Sequence, residues 1–191
     1  MTPPALKYIV DSIWKMSASF WAELDSLIEI KNIPKKKFIL KEGEVCKNLI
    51  FIVSGMARAY YHEDGNQVTS WFMKENDMII SVKSFFKQEP SMENMETLED
   101  SQMAFLSYEA LNYLYGKYPE YNIVGRVLTE HYYVLAEERL FSLRLHTVEE
   151  RYQILLKLHP EILKRAPLKY IASYLSMTPE TLSRLRAQRI S

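Results

Sequence analysis

The apolar residues of this chain change period near Tyr108, and that change limits the folds open to it more than any other feature. Upstream, from Phe38, they gather in short β-rich runs at 38–40, 49–53, 57–61, 68–73, 78–82 and 103–107. Gly43, Gly55 and Gly65 punctuate these runs. Asp64-Gly65 lies between two of them and suits a tight hairpin, because glycine accepts the positive φ that such turns demand. Many short strands with regular turns predict an antiparallel roll. Ahead of the roll, Ile9, Ile13 and Trp14, then Phe20, Leu24, Leu27 and Ile28, recur at helical spacing. Two short helices follow from that, the second capped by Ser19.

From Tyr108 onward the spacing is helical throughout. Pro119 separates a short helix near 109–117 from a long one near 120–145. On the long helix Val127, His131, Val134, Phe141 and Leu145 form one line, interrupted only by the charge of Glu138, and Val124, Leu128 and Leu135 form a second beside it. Two adjoining apolar lines let a helix pack one on its own domain and the other on a second copy, so a homodimer is expected. Thr147 and Glu150 have capping-box spacing and open the next helix, which His159-Pro160 ends or interrupts. The expected class is α+β in three parts: a sensor roll with its N-terminal helices at 1–118, a dimerisation helix at 119–146 and a reading domain at 147–191.

Net charge is zero, which by itself argues against a nucleic-acid partner. Its distribution argues the other way. From Glu161 to the end, six basic residues face two acidic ones, and the excess of four is balanced by an acidic remainder. The single cysteine, Cys46, excludes an intramolecular disulfide, a four-cysteine zinc site and an iron–sulfur cluster held by this chain alone. No continuous apolar run resembles a signal peptide or a membrane span, so no membrane partner and a cytoplasmic location are expected.

The last twenty-five residues carry the sharpest functional signal. Leu168, Ile171, Ala172 and Leu175 stripe a short helix, Ser176-Met177 connect, Thr178 is a good N-cap and Pro179 fits the first helical position. On the second helix Leu182 and Leu185 fall on one side, and Glu180, Ser183, Arg184 and Ala187 on the other. Arg184 can donate two parallel hydrogen bonds to guanine, Glu180 can accept from the cytosine amino group, and Ser183 is small enough for close approach to base edges. Thr181, Arg186 and Arg189 flank them and, with Lys169, suit phosphate contacts.

The segment LKYIASYLSMTPETLSRLR resembles the helix-turn-helix of the cyclic-AMP receptor and fumarate–nitrate regulator (Crp/Fnr) family. Ile171-Ala172, Leu175, Glu180-Thr181, Ser183-Arg184 and Leu185 carry the match, and FILKEGEVCKNLIFIVSGMARAYY resembles the opening of that family's nucleotide-binding roll. The resemblance implies a jelly-roll sensor, a dimerising helix and a DNA reader. It makes Glu180 and Arg184 base readers, sets Ser183 near the bases and gives Thr181 a phosphate. Double-stranded DNA is then the first partner and RNA polymerase a second. Two positions depart from the pattern: Ser176 replaces the turn glycine, and Pro179 stands where several relatives carry a base-reading arginine.

The resemblance also implies a cassette for a cyclic phosphate, a Gly-Glu followed about ten residues later by an arginine, and here the chain departs from it. Between Met78 and Asp100 there is no Gly-Glu, Pro90 and Ser91 stand where the arginine is expected, and Glu89, Glu93 and Glu96 make the stretch acidic. Lys83 and Ser84 lie in the same degenerate cassette, and Lys83 or Lys87 is a substitute cation. A buried phosphate without its arginine is an uncompensated charge. No cofactor is expected, and an effector, if there is one, is a small molecule of unknown identity. Only residues 159–167 precede the helix pair to form a wing, so any wing is minimal and phosphate contacts are few. Two other functions are open. A cupin-like enzyme needs several metal ligands on the strands, where only His62 stands, and a ligand-binding or protein-interaction module need not touch DNA.

Overall fold

The computed structural model describes residues 1–187. Eight strands form two antiparallel four-stranded sheets. They are β1 (Glu29–Ile33), β2 (Phe38–Leu40), β3 (Asn48–Ser54), β4 (Ala57–Glu63), β5 (Asn66–Met73), β6 (Met78–Ile79), β7 (Asn94–Thr97) and β8 (Ser101–Ser107). One sheet runs β1-β8-β3-β6 and the other β2-β7-β4-β5. Asp64 and Gly65 both have positive φ and close the β4–β5 hairpin, pairing Glu63 with Asn66. Gly55 is required by space as well as by conformation: at φ +99° a Cβ would lie 2.1 Å from the Ser101 hydroxyl.

Three sequence expectations need correction. The strand expected at 78–82 ends at Ile79, and Val82 opens a short helix, α3 (Val82–Lys87), which turns Ser84 and Phe85 inward and leaves Val82 exposed. Burial of Phe85 overrides the β-branched run that suggested a longer strand. Strands β1 and β7 carry no sequence signal, because EIKNI is mostly exposed and NMET is polar; pairing with β8 and β4 makes them strands. The second N-terminal helix, α2 (Ala18–Leu27), is capped by Ser17, whose hydroxyl accepts from Phe20 N–H at 3.2 Å, and Ser19 lies in its first turn. It packs with α1 (Pro4–Ile13) against the roll.

The C-terminal half is helical: α4 (Tyr108–Lys117), α5 (Tyr121–Leu145), α6 (Val148–Leu158), α7 (Pro160–Arg165), α8 (Leu168–Tyr174) and α9 (Pro179–Ala187). The Thr147–Glu150 capping box forms as expected. Residues 160–165 in front of the helix pair are helix, and among the described residues no wing strand is present there. Two buried clusters result. One fills the roll and takes in α1, α2, α4 and Val124 of α5. The other joins Ile171, Ala172, Leu175 and Leu182 to Tyr152, Leu155 and Ile162, and borrows Met56, Phe72 and Leu98 from the roll.

Polar contacts fix the helical part on the second sheet. Arg58 of β4 is wholly buried, 2.7 Å from Glu96, with its guanidinium between the rings of Tyr60 and Tyr170. Thr69 N–H donates to the Ser173 hydroxyl at 3.2 Å. Arg165 of α7 grips Glu75 in a two-pronged contact at 2.8 Å and also meets Glu99. The Arg165 guanidinium beside Glu75 draws its carboxyl down to about 2 from an ordinary 4.5. A depressed pKa contributes stability that is complete above the unfolded value and is lost as pH falls towards the folded one. Acid titration from pH 5 downward is therefore expected to destabilise the wild type more than Glu75→Gln, measured by thermal unfolding; equal losses in both would refute the coupling.

Candidate nucleic-acid interface

The last helix is built as its sequence dictates. Thr178 caps α9, its hydroxyl accepting from Thr181 N–H at 3.2 Å, and Pro179 is the first helical residue. Leu182 is buried against α8 and Leu185 half-buried, while Glu180, Ser183, Arg184, Arg186 and Ala187 are exposed. The three residues expected to read bases thus share a solvent face. The Glu180 carboxyl is held below its ordinary range by its own backbone N–H and the Thr178 hydroxyl, so it is an acceptor at neutral pH. Thr181 is half-buried, with its hydroxyl 3.2 Å from that of Thr178. Lys169 lies exposed on α8 over the Tyr170 ring. Arg189 lies outside the described residues.

The turn explains how the chain manages without its glycine. Ser176 adopts φ +54°, the left-handed conformation. Its N–H donates to the Ser173 carbonyl and that of Met177 to the Ala172 carbonyl, both at 3.0 Å, which is a Schellman closure. A non-glycine residue there costs about 1 kcal/mol. Two arginines outside the motif offset that cost. Arg151 of α6 is buried, and its Nε donates to the Leu175 carbonyl at 2.8 Å and Nη1 to the His146 carbonyl at 2.8 Å. Arg139 of α5 donates to the Tyr174 carbonyl and stacks on the Tyr174 ring. Cations suit these carbonyls because the C-terminal end of α8 carries partial negative charge. Sequence reasoning missed both residues. A signal existed for one: Leu128, Tyr132, Leu135 and Arg139 continue the packed line at four- and three-residue steps.

The two lines of α5 separate in space. Val124 is buried and Leu128 packs on the roll, whereas Val134 (50%), Phe141 (49%) and Leu145 (74%) are exposed, as is His131; Val127 is half-buried. Tyr133 and Leu140 widen the exposed strip.

The cassette residues come together around their own protein rather than around a vacant anion site. Ser84 is buried, accepts from Cys46 N–H at 2.8 Å and donates to the Glu89 carbonyl at 2.5 Å. Ser91 is buried, 3.0 Å from the Ser81 hydroxyl, and donates to the Glu93 carbonyl at 2.9 Å. Pro90 bridges to Val45 in an isolated β-pair. Lys83 is exposed, 3.7 Å from Glu89, and Lys87 is exposed, so neither is a buried cation. The carboxyl of Glu93 packs beside Ser70 and Ser81, and burial raises its pKa. The Cys46 thiol is buried and its pKa likewise raised, as a packing residue requires. Among the described residues no group of His, Cys, Asp and Glu is placed to hold a metal, and no helix is long and apolar enough to cross a membrane.

Residues 30–118 match the cyclic nucleotide-binding domain family. Solved structures extend the likeness into the helices. FixK2 of Bradyrhizobium japonicum superposes with a TM-score of 0.73 at 20% identity over 84% of this chain and 83% of its own. The fold is that of the Crp/Fnr regulators. A protein of Eubacterium rectale described as a transcriptional regulator of that family gives 0.71 at 14% identity, covering 92% and 84%. The c-di-GMP-responsive global regulator CLP of Xanthomonas campestris gives 0.68 at 14% identity, covering 90% and 91%. No curated protein matches the chain in sequence.

Proposed function

We propose that this chain is a sequence-specific DNA-binding transcription regulator that works as a homodimer. Residues 1–118 form its sensor, 119–146 its dimerisation helix and 147–191 its reader. The Crp/Fnr fold supports a regulatory role. One observation carries the DNA reading: Glu180, Ser183 and Arg184 stand together in solvent on a helix whose opposite face, at Leu182, is buried, so the chemistry that reads base edges is the face left free. Thr181, Lys169, Arg186 and Arg189 take phosphates and set the register. With two copies paired along α5, the two readers face successive major grooves of a two-fold symmetric site.

Selection of bound fragments from random duplex DNA, followed by gel shifts across a salt series, tests the reading. A two-fold symmetric site should emerge. Arg184→Ala is expected to lose about 1–3 kcal/mol per half-site and to relax discrimination at one base pair, while Arg186→Ala weakens all sequences alike. Unchanged discrimination in Arg184→Ala would rule the assignment out.

The sensor of this regulator does not take cyclic AMP through the usual phosphate cassette. The hydroxyls of Ser84 and Ser91 are engaged by their own backbone, and the Glu93 carboxyl occupies the same polar neighbourhood, where a second anion would meet repulsion and no buried cation. Titration calorimetry with cyclic AMP is expected to show no binding at micromolar concentrations; a micromolar Kd would overturn this part of the reading.

A further inference from the structure

A cleft with a volume of about 170 Å³ lies where the second sheet, α5 and α6 meet. None of the cassette residues lines it. Its walls are mainly apolar, with Trp71, Phe72, Leu135 and Leu158 prominent, but they include two polar groups with spare donors. The Arg139 guanidinium is half-buried and has no carboxylate partner among the described residues; it donates to the Tyr174 carbonyl and covers that ring, and Arg151 beside it is likewise held only by carbonyls. Burial and the neighbouring Arg151 both act against the charge of Arg139, lowering its pKa. A guanidinium so placed favours an anion. Tyr132 accepts from Met78 N–H at 2.7 Å, so its own proton is left to donate, and burial pushes its pKa up to about 12, which keeps that proton in place. The other charged and titratable groups around the cleft are Lys74, Asp77, Glu138 and His159. Asp77 and Glu138 oppose a multiply charged head, and the apolar walls call for a hydrophobic body.

We propose that this cleft binds a small apolar monocarboxylate, with the carboxylate on Arg139 and Tyr132 and the hydrocarbon body against Trp71, Leu135 and Leu158. Binding has a consequence for the reader, and this part rests on the regulator function. Arg139 holds the carbonyl at the end of α8, so a carboxylate that draws the guanidinium into the cleft removes one of the two clamps on the helix-turn-helix turn. The ligand thereby couples to DNA affinity through a group it touches directly.

The test is titration calorimetry on the whole protein with phenylacetate, its neutral isostere phenylacetamide, and inorganic phosphate. Phenylacetate is expected to bind, phenylacetamide at least about tenfold more weakly, and phosphate not at all. Arg139→Gln should weaken phenylacetate at least about tenfold while leaving the far-ultraviolet circular dichroism intact. Leu158→Trp, a substitution at the half-open rim that fills the cleft, should abolish binding if Arg139→Gln proves unstable. Absence of saturable phenylacetate binding up to about 10 mM, equal affinity for acid and amide, or full affinity in both variants would overturn the proposal. Gel shifts with and without phenylacetate then separate the two ideas. Saturable binding by a protein that has no affinity for any duplex sustains the ligand site and removes the regulator function, whereas DNA binding with no heat from phenylacetate does the reverse.

Discussion

Phe141→Glu is expected to convert the protein to a monomer by light scattering and to cut its affinity for a two-fold symmetric DNA site by about 10²–10⁴-fold. Phe141 is 49% exposed in the single chain and lies in a strip with Val134, Leu145, Tyr133 and Leu140, all exposed. Among the described residues this continuous strip along α5 has no partner, and in the proposed homodimer a second copy would bury it. Burying one such aromatic stabilises by about 1.5–3 kcal/mol, and the contact occurs twice across a two-fold axis. A glutamate there forfeits both contributions and places two like charges face to face. The variant should still bind an isolated half-site weakly, because α9 is remote from the change in sequence and in packing. A variant that stays dimeric would show that the strip is not the interface, and one that loses half-site binding as well would point to unfolding.

Arg151→Ala is expected to destabilise the reading domain by about 3 kcal/mol or more and to abolish DNA binding. The side chain is buried, and one guanidinium reaches the carbonyls of His146 and Leu175 at 2.8 Å, with longer contacts to Leu143 and Ser176. Its removal strands the buried Leu175 carbonyl at the end of α8, an orphan that costs about 1–3 kcal/mol, and the part-buried His146 carbonyl at the end of α5. It also withdraws support from Ser176, which occupies a conformation that suits glycine. Hydrogen exchange should show protection lost across α8 and α9 but kept in β3 and β4, since the roll has its own buried cluster. Arg151→Lys should recover little, because an ammonium cannot span the same set of carbonyls. An unchanged melting temperature would refute the role.

The parts of the fold that were legible in advance are those set by local periodicity and by turn chemistry. The Asp64-Gly65 hairpin, the Thr147–Glu150 box, the Thr178-Pro179 start of α9 and the division of α5 into two lines each depend on residues within a few positions of one another. Strands β1 and β7 were not legible, because EIKNI and NMET become strands only through partners some sixty or more positions away in β8 and some thirty-five away in β4. The end of β6 was misjudged for a related reason: Val82 looks like strand locally, and only the burial of Phe85 turns the chain into α3.

The candidate site divides in the same way. Glu180, Ser183 and Arg184 share a face because a helix repeats every 3.6 residues, so their grouping follows from sequence alone once the cap at Thr178 fixes where the helix begins. Whether that face was free or buried, and what held the turn before it, depended on packing. Arg139 and Arg151 reach the end of α8 from two other helices, Arg165 and Arg58 tie that domain to the roll, and the cassette hydroxyls close on their own backbone. Each of these is a contact between distant segments, whose partners are chosen by the three-dimensional path of the chain. Periodicity therefore determined which residues would stand together on one element, and tertiary structure alone decided which elements would meet and which charges would be left unpaired between them.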